Sequence, residues 1–154
     1  MEIERKFLVS ASPSADGLAS SRIRQGYVAV AADGGEVRVR DRDGACSLTV
    51  KHGTGVVRSE AETPISPELF DALWPLTHSR RVEKRRLLVP LDSGLVAEID
   101  VFDGALAGLV VAEVEFPSAD AAAAFAPPAW FGRDVSDEPG YKNQSLALHG
   151  MPGR

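Results

Sequence analysis

Four carboxylate pairs recur at i, i+2 spacing along this chain: Glu2/Glu4, Glu60/Glu62, Glu98/Asp100 and Glu113/Glu115. A basic set accompanies them: Lys6, Arg22/Arg24, Arg38/Arg40, Lys51, Arg58 and Lys84/Arg86. In a β-strand, residues two apart share a face and stand about 7 Å from each other. Each doublet therefore sets like charges side by side. That arrangement destabilises a bare protein and becomes sensible where cations and a polyanion bind among the charges. Carboxylate oxygens suit hard divalent ions, Mg²⁺ or Mn²⁺, which keep several waters and engage phosphate oxygens. Lysine and arginine suit the phosphates themselves. Together the two sets describe a site for a metal–polyphosphate complex.

The elements that must position these charges are strands. Between the charged residues stand Ile, Val and Leu in nearly every case, as in Glu36-Val37-Arg38-Val39-Arg40 and Val96-Ala97-Glu98-Ile99-Asp100-Val101. Eight such segments begin near residues 2, 22, 36, 46, 57, 80, 96 and 109. Turn signals separate several of them, including Asp33-Gly34-Gly35, Asp43-Gly44 and Asp92-Ser93-Gly94. Helices are confined to connections and the end. Ser66-Pro67-Glu68 reads as a capped helix start running to about Leu73, and Ser118 caps an Ala-rich helix ended by Pro127-Pro128. Residues 130–140 read as loop, and Tyr141 to His149 as a short terminal helix. The expected fold is mainly β (α+β), an eight-stranded antiparallel closed barrel with a few flanking helices, in a single domain spanning residues 1–154. Eight strands leave an interior wide enough for side chains or one small ligand.

Two arrangements of such strands compete. The apolar faces can point inward, leaving the charges in solvent and paired across strands. Alternatively the charges line a hydrated tunnel and the apolar faces pack outward under the helices. Ordinary solvated strands mix Thr, Ser, Gln, Lys and Glu, whereas these faces hold segregated like-charge doublets, which favours the tunnel.

Composition bounds the remaining possibilities. The chain has 154 residues, 44% apolar and 25% charged, with a net charge of −5. An acidic chain without a basic excess predicts no nucleic-acid partner, and no apolar run approaches membrane-spanning length. The charged opening strand predicts no secretory signal. The single cysteine, Cys46, excludes an internal disulfide framework, fits a reducing cytoplasm and reads as a core residue at a strand start. There is no Gly-rich phosphate loop, and His52, His78 and His149 fall in turns or termini, against a zinc site. Of 17 basic residues only Lys6, Lys51, Lys84 and Lys142 are lysine. A compact, rotatable ammonium, rather than a planar fork, is therefore kept at four places.

The motif Glu2-x-Glu4-x-Lys6 resembles the signature of the CYTH superfamily, the triphosphate tunnel metalloenzymes. The likeness continues in order through Arg38-Val-Arg40, Leu48-Thr-Val-Lys51, Arg58-x-Glu60-x-Glu62, Lys84-x-Arg86, Glu98-x-Asp100-Val-Phe and Ala112-Glu113-Val-Glu115-Phe. It closes with Trp130-Phe-Gly and Tyr141-Lys142-Asn143, similar to the short bacterial members. Leu87 departs from the pattern, standing where the family would carry an aromatic residue, and Arg22/Arg24 fall on no family motif. The resemblance implies a metal-dependent phosphohydrolase acting on a small triphosphate, with Mg²⁺ or Mn²⁺ as cofactor, as monomer or homodimer. Carried over by position, Glu2, Glu4, Glu113 and Glu115 would hold metal. Lys6, Arg38, Arg40, Lys51, Arg58, Lys84, Arg86 and Lys142 would bind phosphates. Glu60, Glu62, Glu98 and Asp100, with Lys6, would serve catalysis by holding a second metal or orienting water. Free tripolyphosphate is the expected substrate. Aromatics at 6% leave little to stack an adenine, which argues against an adenylate cyclase, and the chain is short for a thiamine triphosphatase. A non-catalytic polyphosphate-binding module is the alternative from another class.

Overall fold

The computed structural model describes residues 3–52 and 59–153. Nine strands form one sheet: β1 (Ile3–Val9), β2 (Ala19–Val30), β3 (Glu36–Arg42), β4 (Ala45–His52), β5 (Ser59–Ile65), β6 (Arg81–Pro90), β7 (Val96–Phe102), β8 (Val110–Phe116) and β9 (Phe131–Asp134). Their spatial order is β5-β4-β3-β2-β6-β7-β8-β1-β9, with every neighbouring pair antiparallel. Among the described residues there are also three short α-helices, α1 (Pro67–Leu73), α2 (Ala119–Ala124) and α3 (Asn143–His149), and three single-turn 3-10 helices.

Turn chemistry sets the registers. Asp43 and Gly44 both take positive φ, 51° and 90°, between β3 and β4, the combination a tight hairpin with right-handed strand twist requires. In the β2–β3 turn, Asp33 Oδ1 accepts from the Gly35 amide and Gly34 sits at φ 88°. The two serine caps form as the sequence implies: Ser66 Oγ accepts from Leu69 N and Ser118 Oγ from Ala121 N, both at 3.1 Å.

One face of the sheet is apolar. Phe7, Val9, Leu87, Ile99, Ala112, Val114, Phe116 and Phe131 are buried there with Ala122 of α2. Leu87, the departure from the family pattern, is completely buried in this core. Val39 and Cys46 pack with Phe70 of α1 in a second cluster. Arg5 pins α2 to β1, its guanidinium donating to Ala122 O, Phe125 O and Asp134 Oδ2 while lying over the Phe7 and Phe125 rings.

The opposite face carries the charges, but not along its whole length. Tyr27, Val82, Phe102, Leu106, Leu109 and Val111 form an apolar end, and Leu146 and Ala147 of α3 bury against it. The terminal helix thus docks on the charged face of the sheet rather than outside it.

One expectation is corrected. Among the described residues there are nine strands, not eight. β9 lies in the segment read as loop, where four residues including Gly132 are too few to show alternation. It pairs with β1 through Phe7–Asp134 and Val9–Phe131. Among the described residues no pairing joins β5 to β9.

Candidate functional site

Registers show how the charged residues converge. On β1 and β8, Glu4 stands opposite Glu115 and Lys6 opposite Glu113. Glu113 in turn faces Glu98 on β7, and Asp100 faces Arg86 on β6. On the other flank Tyr27 faces Arg38 and Gln25 faces Arg40. Lys51 lies between Glu36 and Glu60, and Thr49 between Arg38 and Glu62. Because opposed residues in an antiparallel pair share a face, all these side chains belong to one surface of the sheet. Glu2 and Arg58 lie outside the described residues. Arg22 and Arg24 are on the other face, where Arg24 pairs with Asp41 at 2.6 Å and stacks over Phe70 and Trp74.

A cavity of about 550 Å³ opens on the charged face, lined by Glu4, Lys6 and Glu113 from one flank and Arg38 and Lys51 from the other. Lys142, just ahead of α3, and Asn143, its first residue, line it as well. Strands β1 and β8 stand near one end of the sheet order, β3 and β4 near the other. A single cavity can touch both only if the sheet curls round its charged face. A second opening of about 400 Å³ is lined by Arg42, Leu88, Glu98 and Glu115.

The remaining predicted residues sit on the same face but line neither opening: Arg40, Glu60, Glu62, Lys84, Arg86 and Asp100. Lys84 is 1% exposed and Asp100 4%. The Lys84 ammonium contacts Asp100 Oδ2 at 2.8 Å, donates to Asn143 Oδ1 at 3.2 Å and lies 5.3 Å from the Phe102 ring centre. Arg86 grips both Asp100 oxygens, at 2.8 and 3.0 Å, and reaches Glu98 at 2.7 Å. Burial alone would raise the Asp100 pKa, but Lys84 and Arg86 together hold it below the usual carboxylate range. Burial lowers the Lys84 pKa even with Asp100 alongside.

The basic flank is wired through neutral polar groups. Arg40 Nε donates to Gln25 Oε1, and Gln25 Nε2 donates to the Tyr27 hydroxyl, each at 2.8 Å. Burial, and then the nearby Arg38 and Arg86, lowers the Arg40 pKa. Guanidinium groups forced this close repel one another, and an anion among them removes the repulsion. Burial, seconded by Glu36, pushes the Tyr27 hydroxyl up to about 12, so it stays protonated at neutral pH. Arg38 donates to Thr49 Oγ1 at 3.4 Å, and Thr49 donates to Glu62 Oε1 at 3.3 Å. Lys6 Nζ donates to the Tyr141 carbonyl at 3.0 Å, just ahead of α3.

Sequence reasoning assigned no role to Gln25, Tyr27, Glu36, Asn143 or Gln144. On β2 the arginines drew the eye to the wrong face; the signal on the right one was a neutral polar pair, Gln25 and Tyr27, around a glycine. Glu36 was legible as the first residue of an unbroken alternation with Arg38 and Arg40.

Among the described residues no three His, Cys, Asp or Glu side chains already converge on a metal-binding point. The carboxylates Glu4, Glu98, Glu113 and Glu115 nevertheless form an oxygen-only patch across three adjacent strands. That chemistry fits a hard divalent ion held by one or two carboxylates, waters and a substrate's phosphate oxygens.

Known proteins resemble this chain in sequence and fold. The inorganic triphosphatase of Nitrosomonas europaea is 46% identical over 147 residues, covering 96% of this chain and 97% of that one. The inorganic triphosphatase of Acetivibrio thermocellus is 38% identical over 147 residues, covering 94% and 92%. A crystal structure of an inorganic triphosphatase, 44% identical, matches with a TM-score of 0.83 over 99% of this chain and 97% of that chain. A Hippeastrum putative adenylyl cyclase, 18% identical with a TM-score of 0.55 over 80% of this chain and 83% of that one, shares the fold alone. The CYTH domain model matches residues 1–149, and the chain belongs to the CYTH family.

Proposed function

We propose that this protein hydrolyses inorganic triphosphate to pyrophosphate and phosphate in the charged cavity, with Mg²⁺ or Mn²⁺ as cofactor. The carrying observation is the convergence of Lys6, Arg38, Lys51 and Lys142 with Glu4 and Glu113 on one cavity. The relatives named inorganic triphosphatase support the same reading. Phosphoryl transfer needs positioning and charge neutralisation more than covalent help, and fixed cations from two flanks of a curled sheet supply both.

Each residue set has a role in this reading. Lys6, Arg38, Arg40, Lys51 and Lys142 bind the phosphates, with Arg58 as a further candidate outside the described residues. Lys84 and Arg86 add positive potential from beneath, held by Asp100 and Glu98. Glu62 steadies Arg38 through Thr49, and Glu60 flanks Lys51. Glu4, Glu113 and Glu115, with Glu2, would hold the divalent ion, which would supply Lewis-acid polarisation of the terminal phosphoryl group for attack by water. Attack breaks the terminal P–O–P bond, and pyrophosphate leaves. A small-molecule substrate suffices as partner; among the described residues no helix is long and apolar enough to cross a membrane.

Phosphate release from tripolyphosphate, ATP and thiamine triphosphate, with each metal and with chelator, tests this. Metal-dependent release from tripolyphosphate well above the other two is expected. Release chiefly from an organic triphosphate would replace the substrate, and binding of tripolyphosphate without turnover would leave a binding module.

A further inference from the structure

The cavity has a rim of two parts. One is the β2–β3 turn and the start of β3, through Asp33, Gly34 and Glu36; the other is α3, through Gln144, Ser145, Leu148 and His149. One side-chain amide ties the two together. Gln144 Nε2 donates to the Gly34 carbonyl at 3.0 Å and to Glu36 Oε1 at 3.1 Å. The Glu36 side chain is only 9% exposed, and its other oxygen has no hydrogen-bond partner among the described residues. Arg38 approaches that oxygen no nearer than 4.0 Å, and Lys51 is the cross-strand neighbour. Gln144 thus satisfies one oxygen of a buried carboxylate and spans the gap between turn and helix at once.

We propose that Gln144 is a specificity-determining residue, its bridge to Gly34 and Glu36 closing the cavity against triphosphates that carry a nucleoside. This rests on the triphosphatase reading above. A free tripolyphosphate ends in phosphate at both ends and needs no exit for a substituent. An ester-linked nucleoside must leave the phosphate site through an opening, and the rim beside Arg38 and Lys51 is bridged.

The test is kcat/KM for tripolyphosphate and for ATP, with Mg²⁺, in the wild type, Gln144→Ala and Gln144→Glu. The glutamate variant matches the shape but cannot donate and faces Glu36, so it breaks the bridge without leaving a void. Both variants are expected to raise the ATP-to-tripolyphosphate ratio by about tenfold or more, the scale of one lost hydrogen bond to a charged acceptor, with tripolyphosphate turnover within about threefold. Glu36→Gln keeps an acceptor for the amide and is expected to leave the ratio near the wild-type value. A merely structural Gln144 would lower both substrates in parallel and leave the ratio fixed, overturning the proposal. So would a wild type that uses ATP as well as tripolyphosphate. A wild type releasing phosphate from neither substrate fails the functional reading, and this proposal with it. That outcome is distinct from an active enzyme whose ratio does not move.

Discussion

At the scale of single residues, Asp100 separates what binds substrate from what holds the binders. It is shared by Lys84 and Arg86 inside the sheet, so removing it leaves the buried Lys84 without its anion and Arg86 with Glu98 alone. Breaking a buried pair from one side costs about 3–5 kcal/mol. Asp100→Ala is accordingly expected to unfold at much lower denaturant than wild type, read from the urea midpoint; an unchanged midpoint would remove Asp100 from this role. Lys51 is different in kind, half-buried at the cavity wall. Lys51→Ala should raise KM for tripolyphosphate by roughly 10–100-fold, from about 1.5–3 kcal/mol of charge-assisted hydrogen bonding, with a smaller change in kcat. Both residues were legible as charges on the correct face of their strands. Their separation into buried support and cavity wall was not, because alternation reports which face a side chain takes and says nothing of depth. Arg22 and Arg24 show the limit from the other side. Their i, i+2 spacing matches that of Arg38 and Arg40, yet pairing with β6 and β3 turns them to the helix-covered face.

Among the elements, hairpin turns and serine caps were readable because each depends on local chemistry. β9 was not, since its existence depends on β1 lying beside it. The docking of α3 was unreadable for the same reason: Leu146 and Ala147 join an apolar cluster drawn from β2, β6, β7 and β8. The crossing of β2 over the turn after α1 is another long-range constraint. A Cβ on Gly26 would lie 2.5 Å from Thr77 Oγ1 and 2.6 Å from its Cβ, and Thr77 is fully buried, bonding Trp74 O and receiving Arg81. Gly26→Ala should therefore cost about 1–3 kcal/mol through overpacking, a drop of several degrees in Tm; a Tm equal to wild type would show that this crossing yields freely.

For the whole molecule, the sheet curls its charges inward, and a depressed carboxylate on each face ties stability to pH. Asp100 is depressed by Lys84 and Arg86 against its burial, and Asp134 by Ser136 and Arg5 against its burial. A depressed folded-state pKa contributes stability that is fully present above the unfolded value of about 3.9 and is lost as pH falls through the folded value. Thermal stability should thus hold level from neutral pH down to about pH 4 and fall below it, with Asp100→Asn losing much of that acid dependence. A melting profile that declines steadily from pH 7 would assign the acid sensitivity to other groups.

The chemistry proposed for the cavity is tested most directly by following tripolyphosphate with ³¹P NMR, with Mg²⁺ and then with chelator in excess. The expected result is conversion to pyrophosphate and phosphate in equal amounts, stopped by chelator and lost in Glu4→Gln. An intact tripolyphosphate spectrum after prolonged incubation with metal and folded protein would contradict the account.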